Sequence, residues 1–247
     1  LLTGAQRLSV EIPHGVTVVA TGAEEFRPQE YLYGKNDRVL THLELEEAIH
    51  GQKDRIANCR SLVMIQCVGS RDDERPYCSR VCCGQAVKNA LKLKKINPEM
   101  KIYVLYRDMR TYGLMENAYG DAADQGVMFI RYHEADKPEV EAKEGDNGLQ
   151  VWVTEPTLGK KLMLEADLVS LAAATVPNEH NHSLSQALKV PLNPDGFFME
   201  AHMKLRPVDF PTDGIFMCGL AHNPKHISES VAQGYAAASR AMTVLSQ

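Results

Sequence analysis

The sequence contains no Gly-X-Gly-X-X-Gly, the glycine fingerprint that cradles a dinucleotide pyrophosphate, anywhere between Leu1 and Gln247. It has no apolar run near the ~18 residues that cross a bilayer. Its opening, Leu1-Leu2-Thr3, lacks the basic start and long apolar core of a secretory signal. These absences lead to the expectation of a cytoplasmic protein with no direct membrane span. Basic residues are not in excess. The 27 Lys and Arg against 32 Asp and Glu leave a net charge of −5, which gives no reason to expect nucleic acid. Repeats and low-complexity segments are absent, and so is an initiating Met, which leads us to expect a piece of a longer polypeptide. The 247 residues, 44% hydrophobic and 24% charged, suffice for one large soluble domain or two smaller ones.

Cysteine, by contrast, is plentiful and clustered. Four of the six, Cys67, Cys78, Cys82 and Cys83, fall within seventeen residues. Clustering without a secretory signal argues against a disulfide scaffold, and adjacent Cys82 and Cys83 are awkward partners for each other. The spacing Cys67-X10-Cys78-X3-Cys82-Cys83 matches neither the paired Cys-X2-Cys of structural zinc nor the Cys-X2-Cys-X2-Cys run of bacterial ferredoxins. Soft thiolates leave an iron–sulfur cluster, zinc, and packed or redox thiols all open. Arg71, Arg75 and Arg80 would help to stabilise thiolates. Cys59 and Cys218 stand apart, and Cys218, in the apolar run Ile215-Phe-Met-Cys, reads as a small buried hydrophobe.

Hydrophobic periodicity places the cluster between a strand and a helix. Strands are expected over 7–12, 16–22, 61–66, 101–106, 127–132, 164–174 and 213–219. Helices are expected from Thr41, with Glu44 as capping-box partner, to about Ile49; over 85–95; over 115–125; near 184–188; and over 228–245 with Ser228 as N-cap. Alternating runs between 133 and 165, punctuated by Pro138, Gly145-Asp-Asn-Gly148 and Pro156, predict a small antiparallel excursion. The strand–helix–strand series predicts an α/β fold with parallel sheets. Thiols then occupy the strand-to-helix connection where such folds present a phosphate-binding loop. The strands ending at Thr21-Gly22 and at Gly219 let backbone approach a ligand closely, and the helix after the second would offer free N–H groups.

The residues Val63-Met-Ile-Gln-Cys-Val-Gly-Ser-Arg71, Tyr77-Cys-Ser-Arg-Val-Cys-Cys83 and Ala86-Val-Lys-Asn-Ala90 resemble the A subunit of heterodisulfide reductase and the related flavoprotein subunits of the quinone-interacting membrane-bound oxidoreductase complex. Val18-Val-Ala-Thr-Gly-Ala23, Thr41-His-Leu-Glu-Leu-Glu46, Tyr103 to Tyr112, Gly214-Ile-Phe-Met-Cys-Gly219 and Pro224 to Gln233 agree with it, so the resemblance covers nearly the whole chain. It implies a thioredoxin-reductase-like fold with interleaved dinucleotide-binding-like domains. Residues 1–55 and 175–247 would be C-terminal parts of an FAD-binding domain, and 56–174 an inserted nucleotide-binding-like domain. It implies FAD and a [4Fe–4S] cluster as cofactors, with Cys67, Cys78, Cys82 and Cys83 as cluster ligands. Thr21, Gly22, Gly219, Pro224, Lys225, His226 and Ile227 would lie beside FAD. Lys88 would be near the reactive flavin nitrogen, with Glu46 as its acidic neighbour.

The pyrophosphate fingerprint would lie upstream of Leu1, the family's ferredoxin-type cysteine runs are absent, and Gly219-Leu220 stands where related reductases often carry Gly-Asp. The implied function is an electron-transfer segment of an oxidoreductase subunit, not active alone, working with other redox subunits of a larger complex. A homodimer is compatible with it. A pyridine-nucleotide disulfide oxidoreductase is the alternative enzyme, lacking a Cys-X2-Cys pair. A zinc-stabilised interaction module is the non-enzymatic alternative.

Overall fold

A computed structural model describes residues 10–143, 145 and 148–246. In chain order the elements are β1 (Thr17–Val19), β2 (Ala23–Glu25), β3 (Val39–Thr41), α1 (His42–Gly51), α2 (Lys53–Ala57), β4 (Ser61–Val68), α3 (Cys82–Ile96), β5 (Lys101–Tyr106), α4 (Met115–Asp124) and β6 (Met128–Arg131). They continue with β7 (Glu139–Ala142), β8 (Leu149–Glu155), β9 (Lys160–Ala166), β10 (Leu168–Ala173), β11 (Thr175–Pro177), α5 (Asn181–Leu188), β12 (Ile215–Met217) and α6 (Ile227–Leu245).

The chain forms two compact units. Among the described residues, one holds 10–22, 177–223 and 227–246, and the other holds 23–143, 145 and 148–176 together with 224–226. This differs from the boundaries near 55 and 175 expected from sequence. The reason is that β3 joins the parallel sheet beside β10, and α1 packs its buried Leu45, Ala48 and Ile49 into the same core as α3.

The larger unit has three layers. Its middle layer is a five-stranded parallel sheet in the order β3-β10-β4-β5-β6. The strands β4 and β10 are buried almost throughout, as nearly continuous apolar runs in a parallel sheet should be. Alternate residues of β4 serve opposite faces. Leu62 and Met64 meet Leu45, Ile49, Ala86, Val87 and Leu93 from the helices. Val63 and Ile65 meet Leu149, Val151, Val153 and Leu164 from the antiparallel sheet β7-β8-β9. That sheet is the expected excursion, but it claims residues 160–166, so the parallel strand begins at Leu168 rather than Leu164. Helix α1 starts with the expected capping box: Glu44 N–H donates to Thr41 Oγ1 at 3.2 Å, and Thr41 N–H donates to Glu44 Oε2 at 2.8 Å.

In the smaller unit β1 pairs in parallel with β12, Val18 opposite Phe216. Val19, Val190, Phe198, Phe210 and Met217 form one core, and Val208 and Phe216 pack with Ala237 and Ala241 of α6 in another. The buried Asp209 carboxylate is held by Arg240, whose Nη2 donates to Oδ1 at 2.9 Å. The strand expected over 7–12 does not form in its described part: Val10 and Ile12 are exposed and outside any strand, and 7–9 lie outside the described residues. Ser228 is the second residue of α6 rather than its cap. Cys218 lies just beyond β12 and is half-buried, less enclosed than its apolar run suggests. Among the described residues no helix is long and apolar enough to cross a membrane.

Candidate functional site

The cysteine loop begins inside β4, at a β-bulge. Ile65 pairs with Leu171 and Val68 with Ala173, so Gln66 and Cys67 together face the single residue Ala172. The extra residue breaks the alternation and re-aims a side chain, the usual use of a bulge next to a functional site. Cys67 adopts φ +63°, in the left-handed region that costs a non-glycine residue of order 1–3 kcal/mol. Arg71 and Arg80 follow at φ +59° and +63°. Three such residues in one loop show a backbone shaped to direct its side chains.

Neighbouring groups hold the bulge from below. The Gln66 carbonyl accepts from Tyr132 Oη at 2.7 Å. The buried Gln66 amide nitrogen lies 3.1 Å from His42 Nε2, and His42 Nδ1 lies 2.7 Å from Ser170 Oγ. Gln66 Oε1 has no hydrogen-bond partner, an orphan buried atom directly before the first cysteine of the loop. Full burial drives the His42 pKa down to about 4, so the ring is neutral. The unfolded chain protonates His42 near pH 6.5 while the folded chain resists until about 4. This contribution to stability is therefore complete above about pH 6.5 and is lost as the pH falls to about 4, by up to roughly 3 kcal/mol. Urea midpoints across pH 7 to 4 should fall more steeply in the native chain than in a His42→Gln variant. Equal slopes would show that His42 is not the titrating group.

Cys82 and Cys83 lie in the first turn of α3 and pack against Ala172 and Met109. Burial and a hydrogen bond to Cys83 push the Cys82 thiol well up, with Cys83, Cys67 and Cys78 close enough to add repulsion. Cys83 moves the other way, to about 7, because the Cys82 thiol donates to it and Arg110 and Arg71 lie near. Burial raises Cys67 despite Arg71, whose Nη1 is 3.8 Å from Cys67 Sγ. Cys78 Sγ accepts from the Arg80 amide at 3.3 Å. All six cysteines are free thiols. Among the described residues no three His, Cys, Asp or Glu side chains are grouped to hold a single metal ion.

Of the three arginines expected to serve the thiols, Arg71 does so directly. The Arg75 guanidinium instead stacks on the Phe26 ring at 4.2 Å and donates from Nε to the Gly69 carbonyl at 2.6 Å. Arg80 sends Nη1 to the Pro224 carbonyl at 3.3 Å, which ties the loop to the segment expected beside a flavin. Within that segment Lys225 is buried, and His226 Nε2 lies 3.3 Å from Tyr112 Oη. On the helices, Lys88 Nζ donates to Glu46 Oε1 at 2.5 Å, and Gln85 donates to the same oxygen at 2.8 Å. Burial opposes the Glu46 charge, but these two donors hold its carboxyl below the usual range.

In the smaller unit the two parallel strands are followed by Gly22 at φ +73° and Gly219 at φ +71°, and nothing lies within 4 Å of where a Cβ would stand on either. The Thr21 hydroxyl is 3.5 Å from Asn181 Oδ1. Ile227, the first residue of α6, is exposed.

No model of a protein family matches the chain. Among curated proteins it is 40% identical over 258 residues to the A subunit of the H(2)/formate:CoB-CoM heterodisulfide,ferredoxin reductase of Methanococcus maripaludis, covering 98% of this chain and 38% of that protein. It is 39% identical to the iron-sulfur A subunit of the CoB-CoM heterodisulfide reductase of Methanocaldococcus jannaschii, covering 96% of this chain and 38% of the relative. Over nearly its whole length the chain is similar to the A subunits of heterodisulfide reductases. It spans 38% of the length of these relatives. In fold it is similar to thioredoxin reductases of T. acidophilum (TM-score 0.58, 14% identity, 94% of this chain and 66% of that one) and Lactococcus lactis (0.57, 18%, 94% and 67%). The fold is thus thioredoxin-reductase-like, with mostly parallel sheets and one small antiparallel sheet.

The four cysteines stand out in the sequence, but the residues that shape their loop do not. Phe26 and Tyr132 lie outside the stretches that carry the resemblance, and Gln66, Gly69 and His42 lie inside them with no role assigned. Arg107 and Arg110 carry only the signal of a basic run after β5. Arg107 donates to the Arg71 carbonyl at 2.8 Å and also pairs with Glu134.

Proposed function

We propose that this chain is the electron-transfer segment of an FAD- and iron–sulfur-dependent oxidoreductase subunit. The observation that carries the reading is the placement of Cys67, Cys78, Cys82 and Cys83 along one strained strand-to-helix connection of a thioredoxin-reductase-like fold, where dinucleotide-binding folds present a nucleotide loop. The donor set fits an iron–sulfur cluster: four thiols, soft ligands, with the Arg80 amide directed at one sulfur and Arg71 near another. Gly22 and Gly219 fit a flavin, since each follows a strand with open space where a side chain would stand. When bound, such a pair exchanges the flavin's two electrons with single electrons of the cluster. The polypeptide orients the two groups and sets their potentials. Other redox subunits of a larger complex are the proposed partners, consistent with relatives named as subunits.

The test is anaerobic purification of the full-length polypeptide with flavin, iron and acid-labile sulfide quantitation. FAD with iron and sulfide supports the reading. Zinc without sulfide would instead make the loop a structural module, and neither metal would point to redox thiols.

Lys88 and Glu46 are proposed to tune the flavin. Their ion pair is half-exposed, so its electrostatic effect is screened to about 1 kcal/mol. Lys88→Ala leaves the Glu46 carboxylate without its cation and should lower the two-electron flavin potential. Glu46→Gln should raise it. A redox titration showing no change in either variant would remove the pair from the flavin's surroundings.

A further inference from the structure

Three side chains of the smaller unit form a directional chain that ends on the backbone of Gly219. The Gly219 N–H donates to Gln233 Oε1 at 2.8 Å. Gln233 Nε2 lies 2.7 Å from His222 Nδ1, and His222 Nε2 lies 2.8 Å from Glu200 Oε2. The backbone amide can only donate, and this fixes every proton along the chain. Gln233 must present its oxygen to Gly219, so its NH2 faces His222 and His222 Nδ1 accepts. The ring then carries its proton on Nε2 and donates to Glu200. His222 and Glu200 are largely buried, with side chains 14% and 17% exposed.

The chain joins three separate stretches: the turn after β12, the loop at Glu200, and the second turn of α6. Its end point is a glycine at φ +71°, with open space beside it, immediately past the carboxyl end of a parallel strand. Ligands of such sheets bind at that end. We propose that Glu200, His222 and Gln233 are positioning residues that lock the Gly219 turn in its binding conformation before FAD arrives. This rests on the reading of the smaller unit as flavin-binding. Preorganisation of this kind acts on affinity, because a turn already fixed loses no freedom when the ligand docks.

The test uses the full-length polypeptide and three variants. Gln233→Leu and His222→Leu break the chain. His222→Gln keeps its polarity, since the side-chain oxygen accepts from Gln233 and the NH2 donates to Glu200. Breaking a buried hydrogen-bond chain should raise the FAD dissociation constant about tenfold or more in both leucine variants, and His222→Gln should stay within about threefold of the parent. Iron content of the cysteine loop serves as the control for folding. Hydrogen exchange at the Gly219 amide is the second readout and needs no flavin: protection should be lost in the leucine variants and kept in His222→Gln. Protected Gly219 in Gln233→Leu would overturn the lock, and so would unchanged FAD affinity in both leucine variants. A failure of His222→Gln to rescue would overturn the proton arrangement on which it depends. If the parent holds no FAD, the flavin reading fails, while the exchange experiment still decides whether the lock exists.

Discussion

If the four loop thiols hold the proposed iron–sulfur cluster, Cys82→Ser is expected to abolish it. Cys82 is buried in the first turn of α3, packed against Ala172 opposite the bulge, and its hydrogen bond to Cys83, burial and the nearby Cys83, Cys67 and Cys78 all raise its thiol. A hydroxyl is a harder and much less acidic ligand than a thiol, so serine cannot replace it on a soft iron site. In full-length protein purified without oxygen, iron and acid-labile sulfide should both fall by most of one cluster per chain, with loss of the visible absorption that accompanies it. Cys59→Ser is the matched control. Cys59 is buried elsewhere, donates to the Ser61 carbonyl at 3.3 Å, and has its pKa pushed up to about 11 by burial. Its replacement should leave iron and sulfide unchanged. Unaltered metal content in single substitutions at all four loop cysteines would defeat the assignment.

Gly69→Ala should destabilise the cysteine-bearing unit by about 2–5 kcal/mol. Two effects add. Gly69 sits at φ +71°, where a Cβ costs ~1–2 kcal/mol. That Cβ would also stand 2.3 Å from Phe26 Cδ1 and 2.5 Å from Cε1. The ring cannot simply swing away, because the Arg75 guanidinium packs on it at 4.2 Å while holding the Gly69 carbonyl. Relieving such overpacking typically costs ~1–3 kcal/mol. Gly84→Ala is an instructive contrast. Its Cβ would meet the terminal methyl of Met115 at 2.0 Å, the far end of a flexible side chain, and alanine gains up to ~1 kcal/mol inside a helix. The two terms should leave Gly84→Ala within about 1 kcal/mol of the parent. Denaturation midpoints of the two variants side by side decide the matter. Equal stability would mean that the Phe26–Arg75 clamp does not hold the loop.

The contrast between what the sequence showed and what it hid follows a physical line. Parallel strands buried on both faces announce themselves as apolar runs, so β4, β5 and β10 were legible, as was α1 from Thr41 and Glu44. The cysteines were legible because thiols are rare and their spacing distinctive. The bulge at Gln66 and Cys67 was not, because it depends on register against Ala172, a residue of a strand about a hundred positions away. The Phe26–Gly69–Arg75 clamp and the Arg80–Pro224 link were hidden for the same reason: each joins residues distant in sequence with no periodic signal. The chain from Glu200 to Gly219 was hidden because its polarity is set by one backbone N–H, which no residue type encodes. The strand β3 was not among the expected strands, because Val39–Thr41 is short and forms a strand only where β10 offers it an edge.

The sheet order has a consequence for how this protein is made. Strand β10 lies between β3 and β4, and Ala172 forms one wall of the cysteine cluster. During synthesis, Cys83 leaves the ribosome about 85 residues before Leu168. At 5–20 residues per second, the nascent thiols wait on the order of 4–17 s before the strand that encloses them exists. Throughout that interval they are open to oxidants and to the wrong metal. On the proposed reading, the pocket that would receive iron and sulfur is complete only once β10 has been translated and has paired with β4.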